Sequence, residues 1–143
     1  MLLGASILLF ALCMPMDAVC IEGACHDWQG WSALSLGWYE IAWLGKISPV
    51  VSLAWLANPV LLVAWVLLLL RFWRAAAWAG TVATVMALGF SLGTRIVMTD
   101  WGGTSPITGH PAGYWVWVLS TAFAAAAGVL GASTWDDGPP RRR

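Results

Sequence analysis

Charge is what this chain has least of. Seven basic and seven acidic residues are spread over 143 positions, 10% of the total, and they cancel to a net charge of zero. A soluble domain carries about 25% charged residues, so a globule with an ordinary hydrated surface is excluded. A basic face for nucleic acid is excluded with it. Catalytic signatures are also missing. There is no H-E-x-x-H and no G-x-S-x-G, and Gly102-Gly103-Thr104-Ser105 lacks the lysine and the strand-to-helix setting of a phosphate loop. Asp100, Ser105 and His110 share one polar loop, a coincidence that such a loop produces easily. No repeat of roughly 20 to 50 residues is present. No cofactor is implied.

What fills the space is hydrocarbon: 60% of the residues are hydrophobic and the mean hydropathy is +0.76. At about 20 residues per spanning helix, the length suits one membrane domain over 1–143 and leaves no room for a soluble one. Apolar stretches run over 2–19, 31–45, 49–73, 75–98 and 113–133. Arg71, Arg74, Arg141, Arg142 and Arg143 hold most of the basic charge. Basic residues near span ends mark the cytoplasmic side. With both arginine groups inside, 20–30 and 99–112 lie outside, and so does each end of 31–45.

The stretch 31–45 therefore does not cross. At 1.5 Å per residue it is roughly 22 Å long, short of a hydrocarbon core of ~30 Å. Trp31, Leu34, Trp38, Ile41 and Leu44 share one helical face, with Ser32, Ser35, Tyr39 and Glu40 mostly opposite. Such a helix favours the interface plane. The expected fold is thus an all-α integral membrane protein. It has four transmembrane helices (2–19, 49–73, 75–98, 113–133), an interfacial or re-entrant amphipathic helix over 31–45 on the outer side, and a cytoplasmic tail over 136–143. Both termini are cytoplasmic. A five-span alternative puts Glu40 or Lys46 near or inside lipid, which is expensive. Cleavage of the first stretch as a signal peptide is a further alternative, but it lacks a basic n-region and an A-x-A site.

Asn58-Pro59 marks a helix break in the third stretch. A helix starting at Pro49 loses a backbone bond at Pro59 and kinks there; one starting at Pro59 is short, with 47–57 capping the outer surface.

The most polar outer segment holds Cys20, Cys25, His26 and Asp27. Thiols on that side are oxidised, so Cys20 and Cys25 are disulfide candidates. Their spacing is not the C-x-x-C of a redox motif. Cys20, Cys25, His26 and His110 form an alternative four-ligand zinc set. Arg95 is expected to snorkel or to pair with Glu40 or Asp100. No acidic residue falls at a bilayer midplane, which argues against a proton-driven pump. The 12 tryptophans follow an aromatic-belt distribution. Trp28, Trp31, Trp38, Trp43, Trp55, Trp101 and Trp115 fall towards the outer surface, Trp73, Trp78 and Trp135 towards the inner one, and Trp65 and Trp117 lie deeper, packed between helices. Small residues supply packing surfaces: Gly80 with Thr84 and Leu88, Ala122 with Ala126 and Leu130, the G-x-x-x-G of Gly89 and Gly93, and Gly128 with Ala132.

Gly30-Trp31 through Gly37-Trp38, Ala54-Trp55-Leu56-Ala57-Asn58-Pro59 and Gly113-Tyr114-Trp115-Val116-Trp117 together resemble small Trp-rich polytopic proteins of bacterial inner membranes. The resemblance covers about half the chain and carries no catalytic residues. It implies a bacterial inner membrane and a helix start at Asn58-Pro59. The expected function is action by protein or lipid contact, as an accessory, envelope or immunity-type protein; the expected partners are the lipid bilayer and a membrane-protein partner or a homo-oligomer. The alternatives are a small oligomeric transporter or channel and an extracytoplasmic thiol-redox or metal-handling protein.

Overall fold

In a computed structural model, which describes residues 1–23, 25, 28–37, 49–97 and 104–136, the first apolar stretch is helical only as far as Cys13. Helix α1 (Leu2–Cys13) stops because Pro15 has no amide hydrogen and its ring collides with the carbonyl one turn back. The Met16 amide closes the turn on the Cys13 carbonyl at 3.1 Å. The chain then crosses the end of the bundle. Asp17 makes an antiparallel bridge with Gln29, enclosing strand β1 (Cys20–Ile21), and the short helix α2 (Gly30–Leu36) follows.

The third stretch is two helices, α3 (Pro49–Ala54) and α4 (Ala57–Leu69), parted at Trp55-Leu56. The expected kink at Asn58-Pro59 is a full break, placed just before it. Pro59 sits in the first turn of α4, where a missing amide hydrogen forfeits no helical bond. α4 ends in a Schellman turn. The Phe72 amide donates to the Leu67 carbonyl and the Arg71 amide to that of Leu68, with Arg71 left-handed at φ 61°. Helix α5 (Trp73–Gly89) returns and tightens into a 3-10 turn at Phe90–Leu92. Strands β2 (Arg95–Val97) and β3 (Thr104–Gly109) follow, and α6 (Ala112–Asp136) descends the full bundle.

The all-α expectation with four transmembrane helices is overturned on two counts. Among the described residues, two helical segments are long and apolar enough to cross a membrane, Trp73–Leu92 and Ala112–Thr134, while α1 and α4 are apolar but shorter. Pro15 cuts the first stretch and the Trp55-Leu56 break cuts the third. A three-stranded antiparallel sheet is also present, in the order β1-β3-β2. It takes in part of 99–112, expected to be irregular, and the end of the expected fourth span. Of the helix expected over 31–45, the described part is α2 and Gly37; 38–48 lie outside the described residues, as does the tail beyond Asp136.

Packing is inverted relative to a water-soluble bundle. Most of the fully buried positions between helices are small: Ala64 in α4, Ala76, Ala83 and Ala87 in α5, and Ala124 in α6, with Leu61 of α4 the large exception. Large aliphatics face out instead, with Leu8 60%, Val66 53% and Val85 63% exposed. At the α5–α6 seam the two backbones approach closely. A Cβ added at Gly80 would lie 2.5 Å from the Ala125 backbone nitrogen, and one at Gly128 would strike the backbone of Ala77. Gly80 and Gly128 thus serve contacts within the chain, while Ala126 on the expected Ala122–Ala126 face is exposed. Gly93 is filled by the Val51 side chain, and Leu88 and Leu130, expected on packing faces, are exposed.

Candidate functional site

The chain segments after α1 and before α6 meet at one end of the bundle, where the polar chemistry collects. β1 pairs with β3 through Cys20 opposite Gly109 and Ile21 opposite Ile107. Beyond Ile21 the backbone turns through Glu22 (φ 51°) and Gly23 (φ 86°). Cys25 then closes back onto Cys20 as a disulfide. Thr108 stitches this turn to the sheet: its Oγ1 donates to the Cys20 carbonyl at 3.2 Å and accepts from the Gly23 amide at 3.1 Å. Beneath, Val19, Ile21 and Ile96 form an apolar cluster with Trp28, Phe90 and Ile107. A strand this short is held by these attachments more than by its own ladder.

His110 links the sheet to α6. Its ring stands edge-on to Phe90 at 5.7 Å and lies 4.8 Å from the ring of Tyr114. Tyr114 is buried and donates its hydroxyl to the Ala87 carbonyl at 2.8 Å. Burial holds the His110 imidazole below its ordinary value of 6.5, with the Phe90 carbonyl bonded to it pulling the other way. Nε2 of His110 is buried without a hydrogen-bond partner among the described residues. Protonation would add a donor there with nothing to receive it.

The pH dependence follows in sign. Because the folded-state value is depressed, the neutral ring is favoured in the fold. Its contribution to stability is intact above about 6.5 and declines as pH falls below that value. In neutral detergent, the thermal midpoint should drop between pH 7.5 and 5. His110→Phe, which keeps the ring contacts, should flatten that slope; an unchanged slope would assign it to other groups.

Arg95 does not reach across to α2. Its Nε donates to Thr104 Oγ1 at 2.9 Å and a terminal nitrogen donates to the Thr104 carbonyl at 3.0 Å, clipping β2 to β3. Glu40 and Asp100, its expected ion-pair partners, lie outside the described residues. The break before α4 is closed by Asn58. Its Nδ2 donates to the Trp55 carbonyl at 3.2 Å, and its Oδ1 accepts from Trp117 Nε1 at 2.9 Å. Deeper in the bundle, Trp65 Nε1 donates to Ser6 Oγ at 2.8 Å, and Ser6 donates to the Ser120 carbonyl at 2.7 Å. Both ends of the Asn58 amide are engaged, so the break does not present that side chain to a permeating ion.

No protein-family model, curated protein or solved structure matches this chain. The zinc set of Cys20, Cys25, His26 and His110 is not assembled. The two sulfurs are spent on each other, His26 lies outside the described residues, and among the described residues no group of three His, Cys, Asp or Glu side chains converges on a point. A thiolate is what zinc requires of cysteine, and a disulfide withholds it. Cys13, the free cysteine, is buried at the end of α1.

Sequence patterns placed Trp65 between helices but missed its partner Ser6, along with Thr108 and Tyr114. Tyr114 carried one usable signal, its four-residue spacing from His110 at a helix start. Ser6 and Thr108 had none, because an isolated serine in an apolar helix or a threonine in a short strand announces no partner.

Proposed function

We propose that this chain is a small integral protein of a bacterial inner membrane that acts by contact, with the disulfide-pinned sheet as its outward face. The observation that carries the reading is the inverted packing: alanines are the commonest fully buried residues between the helices, while Leu62, Val66, Val85, Leu119 and Val129 face outward. In water that exterior costs about 25 cal/mol for every Å² of apolar surface; in lipid it costs nothing. The α5–α6 hairpin is the spanning unit, and the shorter α1 and α4 pack on its flanks within the same belt. Arg71 and Arg74 lie at the end opposite the sheet, which favours that end as cytoplasmic. The disulfide suits the oxidising side. The Trp-rich sequence resemblance points to the same membrane.

Two measurements test the parts separately. In intact cells, Thr104→Cys should react with an impermeant maleimide and Ala75→Cys should not; the reverse pattern would invert the orientation. Native mass spectrometry after mild-detergent purification should show a stoichiometric second protein. A homo-oligomer with nothing else bound would overturn the contact reading in favour of transport.

A further inference from the structure

At the end of the bundle away from the sheet, two guanidiniums sit on an apolar rim. Arg71 in the α4–α5 turn and Arg74 in the first turn of α5 are both exposed. Leu69, Leu70, Phe72 and Trp78 surround them, with exposures running from 59% to 74%. Neither arginine side chain has a hydrogen-bond or ion-pair partner among the residues whose side chains are described, a set that excludes Asp136. Asp17 and Glu22 are at the opposite end, beside β1, while α6 ends at Asp136 on the arginine side. Position 71 is also left-handed, at φ 61°. Glycine adopts that conformation freely and arginine does not, so the turn carries its charge at some conformational cost.

We propose that this turn binds the phosphate of an anionic phospholipid headgroup through Arg71 and Arg74, with the acyl chains lying on Leu69, Leu70, Phe72 and Trp78. The proposal rests on the membrane reading above and deepens it by naming a lipid class. A guanidinium meets a phosphate through paired N–H···O bonds. Each basic residue at an anionic membrane surface adds about fivefold to the partition ratio. The apolar rim selects an amphiphile over a free anion, because it is continuous with the lipid-facing belt of α4 and α5 and a soluble phosphate would leave it uncovered.

The test is native mass spectrometry of the full chain released from micelles holding equal phosphatidylglycerol and phosphatidylcholine. The wild-type chain should retain phosphatidylglycerol roughly tenfold or more over phosphatidylcholine, and Arg71→Gln with Arg74→Gln should retain the two equally. Arg71→Gly should lose about fivefold in phosphatidylglycerol retention, while its thermal midpoint in neutral detergent rises because the turn is relaxed. Loss of binding alongside a gain in stability separates lipid recognition from folding damage. Equal retention of both lipids by the wild type, or an unchanged preference in the double variant, overturns the site and leaves the membrane reading standing. A preference abolished by excess inorganic phosphate overturns the lipid assignment. Recovery of the wild-type chain in a detergent-free alkaline wash overturns the membrane reading, and the site with it.

Discussion

Gly80→Ala and Gly128→Ala should each lower unfolding stability by roughly 1–3 kcal/mol, the usual cost of forcing a methyl group into a packed interface. Each added Cβ would meet backbone, the Ala125 nitrogen at 2.5 Å in one case and Ala77 in the other. Backbone in the middle of a helix does not step aside as a flexible side-chain tip does, so α5 and α6 must separate. The same separation loosens the neighbouring alanine contacts of Ala76, Ala83 and Ala124. Gly4→Ala is the internal control. Nothing lies within 4 Å of a Cβ at position 4, and alanine gains up to about 1 kcal/mol over glycine inside a helix. One substitution type thus moves stability in opposite directions at sites that look alike in sequence. Equilibrium unfolding from detergent into SDS reads both. A neutral Gly80→Ala would mean that the seam is looser than its geometry.

Joint replacement of Cys20 and Cys25 by serine should cost about 2 kcal/mol by the loop-closure relation for so short a ring. The loss should be confined to the sheet end. β1 is held by two residues of pairing, the Thr108 bonds and the disulfide, so without the bond it frays from β3 before the helices respond. Hydrogen exchange at the Ile21 and Glu22 amides should accelerate while the α5–α6 seam keeps its protection. Activity offers a second readout. A contact function tolerates this variant at temperatures where the sheet stays docked, whereas a thiol-redox function is abolished outright. Loss of activity with normal amide protection would return the cysteines to chemistry.

How far the sequence reached differs from element to element. Lys and Arg placement grouped 20–30 with 99–112 at one end of the bundle, and β1 and β3 do meet there. It gave no hint that they pair as strands. Period-2 alternation over two or three residues is indistinguishable from chance, and Pro106 inside β3 reads as a strand breaker. It is tolerated because β3 is only six residues long and the Pro106 carbonyl still accepts from the Glu22 amide at 3.3 Å. Helix lengths failed differently. Hydropathy counts apolar residues and ignores where a helix stops, so 2–19 reads as a span although Pro15 ends α1 at Cys13. Asn58-Pro59 was visible as a break, yet the break falls at Trp55-Leu56. Proline sets where the first turn can lie, and the Asn58–Trp117 bond selects among the choices.

Composition by itself determined that this chain turns hydrocarbon outward. With so little charge there is no set of side chains that could clothe the bundle in polar groups, whatever the fold. The sequence also placed two cysteines five positions apart, and two arginines, Arg71 and Arg74, between the third and fourth apolar stretches. Tertiary structure decided which contacts the small residues make. Glycine and alanine permit a close approach without naming a partner, and only the packing of α5 on α6 shows that Gly80 and Gly128 are spent within the chain. It also decided that Cys20 and Cys25 are bonded rather than ligands, because spacing allows both and only the turn through Glu22 and Gly23 brings the sulfurs together. Binding capacity is written in residue type; pairing requires distance, and distance between remote residues exists only once the chain has folded.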